Sequence, residues 1–245
     1  MVRERSAAGS NRRLEAPLRI AVVSDIHGNL PALEAVMKDL DQVEPDQVWC
    51  GGDLGWGGPW ATECIARVRA AGWKTIKGNT DVWITGDPQT IEKPEDREEL
   101  KRVAEAHGIS REDAQWLVSL PMGHSGPGPL LLVHGTPDSP FSAPEPDAPA
   151  GEFKPFEGKA GIVICGHIHK AYVRRLSEGT IVCNTGSIGL PKDGPCACYL
   201  VVDLKGPEWT LIHRRVPFDR EAAIKAGREM GGPVGERFLH QLGVD

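Results

Sequence analysis

Short apolar runs alternate with segments of helical periodicity over residues 18–79. "LRIAVVSD" at 18–25 predicts a strand, and "NLPALEAVMKDLDQV" at 29–43 repeats its apolar residues at helical spacing. "DQVWCGGD" at 46–53 and "WKTIKGN" at 73–79 predict two more strands, separated by a helix that ends at Gly72. Alternation of this kind is typical of an α/β fold.

Two segments interrupt the alternation. Residues 84–124 are rich in charge and predict a helical insertion of two helices, the second capped by Ser110 and ended before Pro121. Strands return at "PLLLVHG" and "GIVICGHIH". The Pro-rich segment between them, residues 136–158, predicts an irregular loop.

The last part of the chain adds a run of strands. "YVRRL", "TIVCNTG", "ACYLVVDL" and "EWTLIHRRV" predict strands, and "DREAAIKAGREM" and "GERFLHQL" predict helices. We therefore expect residues 18–245 to form a single domain, an α/β sandwich of two mixed β-sheets flanked by helices. Residues 1–17 are charged, lack the apolar segment of a signal peptide, and predict a flexible N-terminal arm.

Composition narrows the class of protein. With 40% hydrophobic and 25% charged residues, the 245-residue chain is expected to be globular rather than disordered. A net charge of −6 argues against a stable nucleic-acid complex, and no apolar run is long enough to span a membrane. The six cysteines form no Cys-x-x-Cys pair, which predicts free thiols in a cytoplasmic protein. The oligomeric state stays open.

Side chains that bind metals come directly after the apolar runs of five predicted strands. In chain order these residues are Asp25 and His27, Asp53, Asn79, His134, and His167 and His169. Functional groups of open α/β folds gather at the carboxyl ends of strands. The spacing of Asp25 and His27 also puts both side chains on one side if the chain stays extended. Each motif alone fits a turn or a buried histidine, but together they predict one metal centre.

The donor types limit the metal. Two carboxylates, one amide and four imidazoles suit two divalent cations that share one carboxylate. Mixed nitrogen and oxygen donors favour Mn, Fe, Co or Zn over Mg or Ca. Paired metals of this kind catalyse in-line attack at phosphorus.

The order of the motifs "SDIHGN", "GGDLG", "GNTD", "VHG" and "GHIH" resembles that of calcineurin-like metallophosphoesterases. The closing segment "NTGSIGLPKDG" is similar to that of the bacterial branch of small phosphodiesterases and phosphatases, and the likeness covers residues 18–215. It implies the metallophosphoesterase sandwich of two mixed sheets. It also implies one metal on Asp25, His27 and His169, a bridging Asp53, and a second metal on Asn79, His134 and His167.

The resemblance implies a dinuclear-metal-dependent phosphoesterase that hydrolyses phosphate mono- or diesters. A metal-bridging hydroxide would attack in line, with Asp53, Asn79, His134 and His167 as catalytic residues. The cofactors would be two transition-metal ions, Mn first and Fe, Zn, Co or Ni as alternatives. The substrate would be a phosphate-ester small molecule or nucleotide.

The alternative function is a non-catalytic metal-binding interaction module of the same fold. Because every ligand position is filled, the enzyme is favoured.

Three features leave alternatives open. Thr80 stands where many members of this family have a histidine beside the leaving-group oxygen, so the source of the leaving-group proton is open. Trp56, Trp60 and Trp83 fit either stacking on a nucleobase or packing at the core. Ser187 and Lys192 fit either substrate binding through the "NTGSIGLPKDG" loop or a tight turn between strands.

Overall fold

The structure is a computed structural model that describes residues 2–5, 17–85 and 94–244. The strands, numbered in chain order, are β1 Val2–Arg5, β2 Leu18–Val23, β3 Gln47–Cys50, β4 Lys74–Thr75, β5 Gly123–Ser125, β6 Leu130–Val133, β7 Ile162–Cys165, β8 Ala171–Arg175, β9 Ile181–Thr185, β10 Ala197–Lys205 and β11 Glu208–Val216. The α-helices are α1 Leu30–Val43, α2 Ala61–Ala71, α3 Asn79–Ile84, α4 Pro94–Ala106, α5 Arg111–Ser119, α6 Arg220–Met230 and α7 Gly232–Gln241.

Two mixed β-sheets occupy the centre of the molecule. One has the strand order β1-β11-β10-β2-β3-β4 and the other the order β5-β6-β7-β9-β8. Strands β2, β3 and β4 run parallel, as do β6, β7 and β9, whereas the other pairings are antiparallel. The predicted sandwich of two mixed sheets is confirmed.

Alternating side chains of β2 explain how the layers are held together. Ile20 and Val22 pack between the two sheets, while Ala21 and Val23 pack under the helices on the outer face. All four side chains are fully buried. A strand covered on both faces needs apolar residues at every position, which is why this one has the continuous run "IAVV".

Local signals in the sequence set several helix ends. The Asn29 side chain caps α1 by accepting from the N–H of Ala32, and Gly72 ends α2 in a left-handed conformation with φ 65°. Ser110 caps α5 by accepting from the N–H of Asp113. The two helices predicted within residues 84–124 are α4 and α5, although residues 86–93 lie outside the described ones.

Some elements differ from the sequence prediction. The third predicted strand shrinks to the two residues of β4, and the six-residue helix α3 begins shortly after it. The Pro-rich loop contains a 3₁₀ helix, Ala150–Phe156, because Phe153 and Phe156 bury their rings against the outer face of the second sheet.

The N-terminal segment is not wholly irregular. Val2–Arg5 form the edge strand β1, which pairs antiparallel with β11. Residues 6–16 of the predicted flexible arm lie outside the described residues. In the described part of the chain, no helix is both long and apolar enough to cross a membrane. All six cysteines are free thiols.

The first prediction concerns Asp39, which ties α1 to the larger sheet. Its carboxylate accepts from Arg214 at 2.7 and 2.8 Å and from the hydroxyl of Tyr199 at 2.7 Å. Arg214 is partly exposed, so water screens its charge and limits what the contact contributes. We therefore expect Asp39→Asn to lower the free energy of unfolding by about 1–2 kcal/mol at pH 7. Denaturant titration measures the loss.

The pH dependence arises from the same contacts. The Arg214 guanidinium holds the pKa of Asp39 below its usual value, so its contribution is present above about pH 4 and is lost as the pH falls through the folded-state pKa. The matched control on α1 is Glu34→Gln, whose partner Arg67 is exposed, and it should change the stability by less than about 0.5 kcal/mol. Equal losses in both variants would contradict the prediction.

Candidate metal centre

The structure brings all seven sequence-predicted ligand residues to one site. They lie just after β2, β3, β6 and β7, except for Asn79, which begins α3. Six are buried and His167 is partly buried. The side chains form a continuous series of contacts: His27 to His169 at 3.0 Å, His169 to Asp25 at 3.3 Å, His27 to Asp53 at 3.6 Å, Asp53 to His134 at 3.4 Å, and Asn79 to both His134 and His167 at 2.9 Å.

The backbone at these residues is left-handed. Six described non-glycine residues have a positive φ, and five of them are predicted ligands: Asp25, His27, Asp53, His167 and His169. Such conformations cost about 1–3 kcal/mol each and concentrate at functional sites. The expectation that an extended chain aligns Asp25 and His27 is wrong. The N–H groups of residues 25–28 instead bond to the carbonyls of residues 52–54, which coils the segment into a turn.

Main-chain carbonyls orient three of the histidines. The Nδ1 of His27 bonds to the carbonyl of Trp56 at 2.8 Å, and that of His134 bonds to Gly51 at 2.7 Å. The Nδ1 of His169 bonds to the carbonyl of Leu190 at 2.9 Å. A carbonyl only accepts, so each Nδ1 carries the hydrogen. Each Nε2 therefore points its ring lone pair into the site whenever the imidazole is neutral.

When the imidazoles are neutral, the inward-facing atoms are mutually repulsive acceptors. The Nε2 atoms of His27 and His169 lie 3.0 Å apart, and that of His134 lies 2.9 Å from the amide oxygen of Asn79. Lone pairs that face each other repel unless a proton or a cation lies between them. Imidazole, carboxylate and amide donors together fit a divalent transition metal.

Charge within the site is strongly coupled. Burial would raise the pKa of Asp25, but its histidine neighbours, His169 first, hold it well below its usual value. Burial likewise opposes ionisation of Asp53, yet His134 lowers the pKa of Asp53 to about 2. Burial also opposes the proton on His134, but Asp53 raises its pKa to about 10. Protons therefore supply the positive charge when no cation does, and a bound metal would displace them.

Two overlapping groups have their donor atoms within 4.8 Å of one another: Asp25 with His27 and His169, and Asp25 with Asp53 and His134. The shorter contacts distinguish the two carboxylates by the histidines that each one touches. Oδ1 of Asp25 lies within 4 Å of His27 and His169, both in the first group. Oδ2 of Asp53 lies between His27 and His134, one from each group.

A comparison with known protein families assigns the chain. The model of the calcineurin-like phosphoesterase superfamily domain matches residues 18–206. The chain belongs to the calcineurin-like phosphoesterase superfamily. This membership and the ligand clusters support a metal-dependent phosphoesterase. Placement in the bacterial branch stays a prediction.

Three known proteins are similar to this chain. The crystal structure of a metallophosphoesterase from Sphaerobacter thermophilus is 26% identical, with a TM-score of 0.70 over 94% of this chain and 99% of that one. A hypothetical protein from Pyrococcus horikoshii OT3 shares the fold at 20% identity, with a TM-score of 0.73 over 90% of this chain and 97% of that one. An uncharacterised Methanocaldococcus jannaschii protein is 27% identical over 226 residues, 84% of this chain and 90% of that protein.

Asp81 supports the site through backbone contacts that the sequence analysis did not predict. Its carboxylate accepts from the N–H groups of Asp53 at 2.8 Å, Leu54 at 2.9 Å and Gly78 at 2.9 Å. The N–H of Thr80 bonds to Oδ1 of Asp53 at 2.9 Å. These bonds join the loop of residues 53–54 to the segment of residues 78–81. They leave Oδ2 of Asp53 directed at His27 and His134.

The "NTGSIGLPKDG" loop supports the site from behind. Ser187 is fully buried, donates to the carbonyl of Asp25 at 2.8 Å and accepts from the N–H of Leu190 at 2.9 Å. The Ser187 hydroxyl therefore holds the Asp25 segment in place, and a substrate-binding role for this residue stays a prediction. Lys192 has an exposed side chain, and its N–H bonds to the carbonyl of His169. Its substrate role stays a prediction.

The three tryptophans near the site pack against the hydrophobic core. Trp56 is 2% exposed, and Trp60 and Trp83 are partly buried against the same core. The structure therefore favours packing over stacking on a nucleobase for Trp56.

The second prediction tests the contact between the Gly52 and Gly78 backbones. Gly52 has φ +92°, and a Cβ there would lie 2.8 Å from the Cα of Gly78. We expect Gly52→Ala to lower the free energy of unfolding by about 1–2 kcal/mol for the left-handed conformation and about 1–3 kcal/mol more for the clash. Denaturant titration of metal-free protein measures it.

The matched control is Gly72→Ala. Gly72 also has a positive φ, +65°, but a Cβ there meets nothing within 4 Å. It should show the conformational cost alone. If the two variants lose the same stability, the close approach of the two loops does not constrain the site.

Proposed function

We propose that this protein is a dinuclear-metal-dependent phosphoesterase that hydrolyses phosphate mono- or diesters. The observation that carries the proposal is the position of Asp53, whose Oδ2 lies 3.6 Å from Nε2 of His27 and 3.4 Å from Nε2 of His134. One carboxylate oxygen between two groups of ligands fits a bridge between two cations. The substrate is a phosphate-ester small molecule or a nucleotide, and the protein acts in the cytoplasm.

The ligands divide between two sites around this bridge. The first site has Asp25, His27 and His169, and the second has Asn79, His134 and His167. Mn is the preferred ion, with Fe, Zn, Co or Ni as alternatives. Bound cations of this type supply a nucleophilic water at neutral pH and neutralise charge on the phosphate oxygens.

The chain itself contributes orientation and charge. Carbonyls fix three imidazoles, and the N–H of Thr80 fixes Asp53, so the donors are positioned before a substrate arrives. His167, the least buried of the ligand histidines, lies with His134 on the side where we place the phosphate. The exposed Lys192 adds a positive charge near His169 that attracts an anion.

The rival function is a metal-binding interaction module without turnover. The full set of seven ligands and their fixed orientation support catalysis over this rival, since an interaction surface does not require buried carboxylates. Hydrolysis by metal-loaded protein separates the two.

The third prediction is that purified protein binds close to two transition-metal ions per chain. A chelator should abolish phosphate-ester hydrolysis, and Mn should restore it. Because Asp53 serves both sites, we expect Asp53→Asn to reduce the bound metal at both, together with the rate. Elemental analysis and equilibrium metal titration measure this.

The control for the bridge is His169→Ala. It should weaken chiefly the site of Asp25 and His27 and leave one ion bound per chain. Full activity in metal-free protein would contradict the dinuclear proposal. Two ions and a normal rate in Asp53→Asn would contradict the bridge alone.

The fourth prediction concerns the leaving group. Thr80 cannot donate a proton at neutral pH, and general-acid help is worth about 10²–10⁴ in rate when the leaving oxygen is a poor one. The protein should therefore favour aryl esters or phosphoanhydrides over alkyl esters. Thr80→His should raise kcat for an alkyl phosphate ester more than for its p-nitrophenyl counterpart, at unchanged metal content.

Thr80→Val is the matched control because it keeps the shape of the side chain without a hydroxyl. It should leave the ratio of alkyl to aryl rates unchanged. If Thr80→His alters both rates by the same factor, position 80 has no acid role here.

A further inference from the structure

One peptide group connects His27 to a histidine outside the ligand set. The carbonyl of Trp56 accepts from Nδ1 of His27 at 2.8 Å. The N–H of the next residue, Gly57, donates to Nε2 of His107 at 2.8 Å. The Trp56–Gly57 peptide group is therefore held on one side by a predicted metal ligand and on the other by His107, which comes directly after α4.

His107 is fixed in the form that this contact needs. Its Nδ1 lies 2.7 Å from the carbonyl of Val103, so Nδ1 carries the hydrogen and Nε2 is free to accept from Gly57. The ring stacks on Trp56, with centroids 5.2 Å apart and planes 22° apart, and the residue is 7% exposed. Burial lowers the pKa of His107, which keeps Nε2 unprotonated at neutral pH.

We propose that His107 is a positioning residue for His27, so that the helical insertion is part of the metal centre. The inference rests on the proposed role of His27 as a metal ligand. It assigns a function to the insertion that is separate from substrate binding.

The physical reason lies in the rigid peptide plane. Gly57 is buried and has φ +103°, and an unsatisfied buried N–H costs about 1–3 kcal/mol. Without an acceptor at position 107, this peptide group would rotate to find another partner. Because the peptide is planar, the carbonyl of Trp56 would turn with the N–H and release Nδ1 of His27. The imidazole would then lose the contact that fixes its tautomer and direction.

The anchoring of α4 makes His107 a firm support. Val103 and Ala104, in the last turn of the helix, are buried in the core that also contains Trp56. The backbone N–H of His107 bonds to the carbonyls of both residues. The position of Nε2 is therefore set by helix packing.

The fifth prediction separates the acceptor from the ring. His107→Phe keeps the ring on Trp56 but removes the acceptor, whereas His107→Gln places an amide oxygen near the position of Nε2. Calorimetric titration of metal-free protein with Mn²⁺ should show about 10–100-fold weaker binding at the site of Asp25, His27 and His169 in His107→Phe. The Mn²⁺ affinity of His107→Gln should stay within about threefold of the wild-type value. A threefold change corresponds to less than about 0.7 kcal/mol, half of the 1.4 kcal/mol that a tenfold change represents.

His124→Phe is the control for replacing a histidine outside the metal centre. His124 lies on β5 against Trp49 and should leave Mn²⁺ affinity unchanged. The aliphatic variant His107→Leu repeats the test if His107→Phe does not fold, as judged by circular dichroism. Weaker binding in a folded acceptor-free variant, with binding retained in His107→Gln, supports the inference.

Two results would overturn it. Unchanged Mn²⁺ affinity in the folded acceptor-free variant shows that His27 does not depend on His107. An equal loss in His107→Gln shows that packing of the ring, and not the acceptor, is responsible. Failure of the proposed function looks different because it is measured on the wild-type protein, which would then bind no Mn²⁺ or would bind it without hydrolysing phosphate esters.

Discussion

The burial of two carboxylates beside each other is the constraint on which the rest of the site depends. Asp25 is 0% exposed and Asp53 is 2% exposed. Burying an ionised carboxylate costs many kcal/mol unless positive charge and hydrogen bonds compensate for it. Among the described residues, the ion-pair partners of both are histidines rather than lysine or arginine. The compensating positive charge must therefore come from protons on the imidazoles or from metal cations, so the fold itself creates a site that favours a cation.

Main-chain groups do most of the positioning around these carboxylates. The N–H of His167, from the second sheet, bonds to both oxygens of Asp25 on the first, and so joins the two layers at the site. Glycines allow the loops to approach closely enough for such bonds, as at Gly52 and Gly78. Assembly of the ligands therefore requires the two sheets to pack together, and we expect the stability of the protein and its metal affinity to be linked.

The sequence was sufficient to predict the fold class and the seven clustered residues, because both depend on apolar runs and on the polar residues at the ends of those runs. It could not predict the contacts of Asp81 or of His107, which are bonds to residues 27 and 50 positions away. The left-handed turn at Asp25 and His27 could not be predicted from the sequence either, because the carbonyls of a neighbouring loop impose it. Helix α3 has six residues, too few for a helical period to stand out.

These contacts also explain how the site accommodates a threonine where many family members have a histidine. Residue 80 supports Asp53 through its backbone N–H, which any residue except proline can supply. Asp81 bonds to three backbone N–H groups and needs no partner at position 80 to hold its place. The ligand geometry is therefore insulated from the side chain at position 80. Under the proposed function, a change there would alter leaving-group chemistry while the proposed metal ligands stay where the backbone puts them.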